Sequence, residues 1–167
     1  KQVHALGLPR RLLDHSLIEP ALGRLQIIDR TEPQCILHGD AHLGNMYIDA
    51  SGAPGLLDWQ CVRRGLWAHD VNYALVSVLD IEDRRNWERD LLQRYLDALQ
   101  RQFDVLGRAA RAPTFDEAWL SYRLQNIYGL FFWITNTEEQ QPRENNLALA
   151  LRYAMATLDH GTLQLLS

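Results

Sequence analysis

The chain has 167 residues, of which 47% are hydrophobic and 23% are charged, so it can bury a core and has the composition of a globular protein. Its formal net charge is −4 and its only lysine is Lys1, which argues against a nucleic-acid partner. No apolar run approaches the ~20 residues that a membrane-spanning helix needs. Cys35 and Cys61 lack zinc-site spacing, and we expect them to be buried thiols of a cytoplasmic protein.

The first predicted helix covers residues 19–30. Pro20 lies near its first position, where a missing N–H is tolerated, and Pro33 follows its end. Two brief strands are predicted next, at residues 46–49 and 55–58. The Gly, Ser and Pro residues between them predict the turn of a β-hairpin.

The rest of the chain predicts helices only. Apolar residues recur at i+4 spacing from Trp87 to Phe103, and Thr114 with Glu117 forms a capping-box pattern. The four predicted helices cover residues 69–79, 82–106, 114–137 and 142–163. We therefore expect a single, predominantly helical α+β domain over residues 1–167.

Two motifs carry the candidate chemistry. The first is His-Gly-Asp at 38–40 followed by Asn45, and the second is Asp58 in the sequence Asp-Trp-Gln. The hairpin is expected to make Asn45, before one strand, face Asp58, at the end of the next. Mg²⁺ prefers carboxylate and other oxygen ligands, so these two residues predict a metal site. Asp40 would then accept a hydroxyl proton, as phosphoryl transfer requires.

The pattern His-Gly-Asp-x-x-x-x-Asn, followed by Asp-Trp-Gln, resembles the catalytic and metal-binding loops of protein kinases. It is more similar to the aminoglycoside phosphotransferase and choline-kinase-like family, and Gln60 with Arg63 and Asp70 is similar to the ecdysteroid-kinase-like branch. The resemblance implies the C-terminal lobe of a protein-kinase-like fold. It also implies transfer of the γ-phosphoryl group of ATP, with Mg²⁺, to a hydroxyl of a small molecule.

The resemblance implies a role for each matching residue. Asp40 matches the general base, and Asn45 and Asp58 match the Mg²⁺ ligands. His38 matches a residue that supports the catalytic loop. Asp70 matches a residue that hydrogen-bonds back to this loop, and we expect it to be the N-cap of the next helix.

Three further residues are candidates for contacts with substrate or phosphate. They are His42, Gln60 and Arg63. A loop-packing role for His42 and a solvated position for Arg63 are the alternatives, since Mg²⁺ favours oxygen ligands and surface arginines are common.

A kinase-like mechanism also needs a glycine-rich loop over the phosphates and a lysine on a strand. The sequence contains no such glycine-rich motif, and Lys1, its only lysine, lies outside the predicted strands. We therefore expect an N-terminal lobe of the same protein to supply both elements, and this chain alone to bind nucleotide poorly and to be inactive.

Two alternatives stay open. His38, Asp40 and His42 form a His-x-Asp-x-His pattern that, with Asp58, could build a metal-dependent hydrolase, and His69 and Asp70 could complete a two-metal site. Asn45 would have no role in such a site. The second alternative is a non-catalytic, kinase-like binding module.

Overall fold

The computed structural model describes residues 7–167, which form seven α-helices and four short β-strands. The helices are α1 (His15–Thr31), α2 (Ala68–Val78), α3 (Ile81–Val105), α4 (Phe115–Leu124), α5 (Asn126–Thr135), α6 (Arg143–Asp159) and α7 (Thr162–Leu165). The strands are β1 (Cys35–Leu37), β2 (Met46–Ile48), β3 (Pro54–Leu56) and β4 (Arg63–Gly65). The expected predominantly helical α+β composition is confirmed.

The four strands form two antiparallel pairs, one nested inside the other along the chain. The inner pair, β2–β3, is the predicted hairpin, with Met46 opposite Leu56. The outer pair, β1–β4, joins Leu37 to Arg63 and was not predicted, because Arg63-Arg64-Gly65 has no apolar alternation.

Helix α1 begins four residues earlier than predicted. Asp14 caps it by accepting the backbone N–H of Ser16 at 3.0 Å, and the Asp14 carbonyl accepts from Leu17 and Ile18. The first turn is therefore closed before Pro20, and the helix continues through this proline.

The helix expected over 114–137 is interrupted at Gln125. Its N–H donates to the carbonyl of Tyr122, three residues back, which tightens the chain. The side chain of Asn126 donates to the carbonyl of Arg123 at 2.9 Å and so competes with the helical backbone. Two helices, α4 and α5, replace the single one.

The helix expected over 142–163 is also divided. Helix α6 ends at Asp159, and Gly161 has a left-handed backbone with φ of 61° before the short α7. Glycine adopts this conformation without the steric cost of a side chain, so it ends helices readily.

One cluster of buried apolar side chains runs through the helices, from Leu12 before α1 to Leu166 after α7. Helices α5 and α6 pack very closely, since a Cβ on Gly129 would lie 2.0 Å from the ring of Tyr153. Hairpin residues 46–56 are absent from this cluster within the described part of the chain. The hairpin therefore lies at the edge of the helical body.

The expectation of buried cysteines is wrong. Cys35, in β1, and Cys61, just before β4, are both exposed free thiols. Both belong to the small sheet region, where little of the chain is covered by helices. Among residues 7–167, no helix combines the length and apolarity needed to cross a bilayer.

Candidate active site

The nested strand pairs bring two loops together. The HGD loop (residues 38–45) connects β1 to β2, and the DWQ loop (residues 57–62) connects β3 to β4. Because β1 pairs with β4, the start of the HGD loop lies beside the end of the DWQ loop. Because β2 pairs with β3, the end of the HGD loop lies beside the start of the DWQ loop. The N–H of Leu57 also donates to the carbonyl of Asn45 at 2.8 Å, which extends the inner pair by one bond.

His38 lies between the two loops, with 2% of its surface exposed. Its Nε2 is 2.6 Å from the carbonyl oxygen of Leu57, and its Nδ1 accepts the backbone N–H of Asp40 at 3.3 Å. Since a carbonyl only accepts and an N–H only donates, the ring is the neutral Nε2–H tautomer. Its centroid lies 4.7 Å from the ring of Trp59. The His38 ring therefore fixes the position of Asp40 relative to Leu57, which precedes Asp58 in the sequence.

Asp70 holds the start of the HGD loop. Its carboxylate accepts the backbone N–H of His38 at 2.7 Å and that of Gly39 at 2.9 Å. The expectation that Asp70 is an N-cap is wrong, because α2 begins at Ala68 and Trp67 occupies the N-cap position. Asp70 lies in the first turn instead, where a negative charge is favourable near the positive end of the helix dipole.

Gly39 allows a close approach of the two loops. Its φ is +84°, and a Cβ at this position would lie 2.4 Å from the carbonyl oxygen of Cys61. Both the backbone conformation and the available space therefore require glycine between His38 and Asp40.

Asn45 contacts Asp40 directly. Its Nδ2 donates to the backbone carbonyl of Asp40 at 2.9 Å and to Oδ2 of the carboxylate at 3.2 Å. This bonding identifies the amide nitrogen as the atom facing Asp40, so Oδ1 of Asn45 faces elsewhere. No residue within 7–167 donates a hydrogen bond to this oxygen.

Asp58 has an unusual backbone. Its φ of 57° and ψ of 65° are left-handed, and it is the one non-glycine residue with a positive φ in the described part of the chain. Such a conformation costs an L-residue about 1 kcal/mol or more, and Asp is among the residues that tolerate it best. Gln60 Nε2 lies 3.3 Å from Oδ2, while Oδ1 accepts no hydrogen bond from residues 7–167.

The donor chemistry fits a hard cation. Asn45 offers an amide oxygen and Asp58 a carboxylate, and Mg²⁺ is usually bound by one or two carboxylates together with phosphates and water. These two residues could therefore hold Mg²⁺.

A hydrolase centre built on His38, Asp40, His42 and Asp58 does not fit. Both ring nitrogens of His38 already have backbone partners. Residues 7–167 contain no group of three or more His, Cys, Asp or Glu side chains that could hold a metal ion. The described residues therefore give the hydrolase alternative no support.

The remaining predicted residues lie around the loops. His42 accepts the N–H of Gly44 at Nδ1 (3.0 Å), and its Nε2 is 3.5 Å from Oδ2 of Asp40. Arg63, on β4, donates to Nε2 of His69 at 2.9 Å and lies over the ring of Tyr128 at 5.8 Å. Arg63 is thus exposed but held in place on one side.

Two buried residues of α2 lie near the site: His69, which the sequence offered only as a ligand of the hydrolase alternative, and Tyr73, which sequence reasoning missed. Burial and then the charge of Arg63 lower the pKa of His69 to about 4, so it is neutral and accepts from Arg63. Burial, followed by the nearby carboxylate of Asp40, raises the pKa of Tyr73. Tyr73 follows Asp70 by three residues and so shares its helix face, which is the one signal that could have identified it.

An apolar hollow of about 540 Å³ lies beside the site. It is lined by Leu43 of the HGD loop and by residues of β2 and β3. Leu43 and Ile48 are 65% and 68% exposed, so the hairpin presents a hydrophobic surface next to Asn45.

Comparison with known proteins gives one finding. The sequence profile described as the phosphotransferase enzyme family matches residues 2–113, a segment that contains both loops, the hairpin and helices α1 to α3. No curated protein and no solved structure matched the chain. The profile covers well over half of the sequence and supports the expectation of a kinase-type phosphotransferase. The chain belongs to the phosphotransferase enzyme family.

Proposed function

We propose that this chain carries the catalytic loop and the metal site of an ATP-dependent kinase that phosphorylates a hydroxyl of a small molecule. The observation that supports this most strongly is the position of His38, whose single ring bridges the backbone of Asp40 and the carbonyl of Leu57. It keeps the proposed base and the proposed metal ligand Asp58 in adjacent, tightly connected loops.

Asp40 is the general base in this proposal. Oδ2 of its carboxylate already receives the amide of Asn45, so Oδ1 is the oxygen that accepts the proton of the acceptor hydroxyl. The hydroxyl oxygen then takes the phosphoryl group, and the nucleoside diphosphate leaves. Asn45 and Asp58 would hold Mg²⁺, which would supply neutralisation of the phosphate charge. His38 and Asp70 keep the loop in place.

The apolar hollow beside the hairpin is suited to the base of the nucleotide. It is concave, hydrophobic and adjacent to Asn45, so a nucleotide seated there would direct its phosphates towards the two loops. The glycine-rich loop and the lysine that this mechanism needs come from an N-terminal lobe of the same protein in our proposal. Membership of the ecdysteroid-kinase-like branch is part of our proposal and is supported by the resemblance at Gln60, Arg63 and Asp70; a cytoplasmic location stays a prediction.

The test is a screen for ATP consumption by the intact protein against a library of hydroxyl-bearing metabolites, including aminoglycosides, sugars, choline-like amines and sterols. We expect ATP consumption that depends on one acceptor class. Asp58→Ala should abolish it by removing Mg²⁺-nucleotide binding, and Asp90→Ala, at an exposed carboxylate on α3, is the control. Nucleotide binding without transfer to any acceptor would favour the non-catalytic binding module instead.

A further inference from the structure

His42 has a fixed orientation within the HGD loop. Its Nδ1 accepts the backbone N–H of Gly44 at 3.0 Å and so caps the short turn of residues 43–45. A Cβ on Gly44 would lie 2.8 Å from Cε1 of His42, so the ring can lie across the loop because residue 44 is glycine. Since Nδ1 accepts, the neutral ring carries its proton on Nε2.

This Nε2–H group faces the proposed base. It lies 3.5 Å from Oδ2 of Asp40, and the two side chains are 38% and 27% exposed. The separation is longer than that of a formed hydrogen bond, but contacts of this kind often shorten when substrates bind. Asn45 donates to the same oxygen at 3.2 Å. Two donors therefore converge on Oδ2, and the buried hydroxyl of Tyr73 is a third neighbour of this carboxylate.

We propose that His42 is a positioning residue for Asp40. Its Nε2–H, together with the amide of Asn45, holds Oδ2 and prevents the carboxylate from rotating, so that Oδ1 alone meets the acceptor hydroxyl. The inference rests on the proposed role of Asp40 as base. In this role His42 acts on Asp40 and contacts neither substrate nor phosphate. Capping the turn of residues 43–45 is then only part of its function.

Two substitutions separate positioning from capping. In His42→Asn, the amide oxygen can replace Nδ1 and accept from Gly44, but the side chain is too short to reach Asp40. In His42→Gln, the amide nitrogen can replace Nε2 and donate to Asp40, but no acceptor remains at the Nδ1 position. The first variant keeps the cap and the second keeps the donor.

The first measurement needs no activity. Imidazole nitrogen NMR spectra of the full chain should show His42 protonated at Nε2, and Asp40→Asn should shift the Nε2 resonance while Nδ1 stays unprotonated. A proton on Nδ1, or an Nε2 resonance that ignores Asp40→Asn, would overturn the proposal.

The second measurement uses the intact protein and the acceptor identified by the screen. His42→Asn should lower kcat roughly 10-fold to 100-fold with KM for ATP unchanged. The reason is that a displaced base slows the chemical step without weakening the binding of ATP. His42→Gln should retain most of kcat. Wild-type kcat in His42→Asn, or an equal loss in both variants, contradicts positioning. If the wild type transfers no phosphoryl group, the proposed function fails, while the NMR result still decides the role of His42.

Discussion

The Nε2–H of His38 donates to the carbonyl oxygen of Leu57 across 2.6 Å, and this bond joins the HGD loop to the DWQ loop. The two residues are nineteen positions apart in sequence and are separated by the whole hairpin. The bond explains why a histidine, rather than an apolar residue, fills this buried position: it satisfies two backbone groups that would otherwise lack partners.

Replacing His38 should therefore loosen both loops. His38→Ala empties a buried position and leaves the part-buried Leu57 carbonyl and Asp40 N–H without their partner, and we expect the free energy of unfolding to fall by about 2 kcal/mol. His15→Ala is the control, since His15 is exposed and its ring contacts the exposed carboxylate of Glu19, at 3.3 Å. Urea denaturation measures both. Equal, small losses of unfolding free energy in the two variants would show that the hydrogen bonds of His38 contribute little to stability.

Two glycines offer a matched test of the contact between the loops. Gly39 and Gly52 both have φ of +84°, but a Cβ would clash only at Gly39, with the carbonyl of Cys61, while Gly52 has open space. Gly52→Ala should cost only the backbone strain of about 1 kcal/mol. Gly39→Ala should cost clearly more in thermal denaturation and should displace Asp40. Indistinguishable melting temperatures would contradict the close approach.

His69 should make stability depend on pH. Its pKa in the folded chain is about 4, lowered by burial and by Arg63, whereas an unfolded histidine titrates near 6.5. Between these values the unfolded state binds the extra proton, so stability is lost as the pH falls from about 6.5 towards 4, by about 3 kcal/mol at most. His69→Gln can still accept from Arg63 but does not titrate.

The measurement compares the free energy of unfolding of the wild type and His69→Gln at about pH 7 and about pH 4.5. The wild type should lose more stability on acidification than the variant, because all other titrating groups are shared. Parallel pH profiles would mean that His69 is not buried in its neutral form.

A buried ionic cluster joins α3 to α4 and to the end of α6. Glu88 accepts both Arg84 (2.8 and 2.9 Å) and the hydroxyl of Tyr122 (3.1 Å), and it lies 2.9 Å from His160. Burial alone would raise the pKa of Glu88, but His160 and Arg84 outweigh this effect and lower it. The carboxylate is therefore charged and compensates the buried guanidinium.

Glu88→Gln should cost about 2 kcal/mol, because Arg84 is only 1% exposed and loses one of its two carboxylate partners, while Asp159 remains. The control is Glu82→Gln, which removes an ion pair with Arg85 at a 77% exposed carboxylate and should cost less than about 1 kcal/mol. Chemical denaturation of both variants checks the difference. A cost for Glu88→Gln as small as that of Glu82→Gln would contradict the proposed compensation.

Local chemistry predicted much of the fold. The hairpin has the strands that its turn residues indicated, and α2 and α3 begin and end within one residue of their predicted bounds. These elements have strong periodicity or clear end signals. The break at Gln125 was missed because it also depends on long-range contacts, such as the Asn126 side chain bonding to His160 at 2.8 Å. The break at Gly161 was missed although glycine is a local signal for the end of a helix.

The candidate site was predictable as a set of residue types but not as a geometry. The spacing of Asp40, Asn45 and Asp58 indicated the chemistry, whereas the means of holding the loops together came from tertiary structure. The pairing of β4 with β1 and the left-handed backbone of Asp58 have no periodic signal in the sequence. The contact between Arg63 and His69 also has no periodic signal in the sequence, because it depends on where β4 meets α2.

The most direct test of the account compares phosphoryl transfer with nucleotide affinity in the Asp40→Ala variant of the intact protein, using the acceptor from the screen. If Asp40 is the base, the transfer rate falls by roughly 100-fold or more while the affinity for Mg²⁺-ATP changes by less than about twofold. A transfer rate close to that of the wild type would contradict the account.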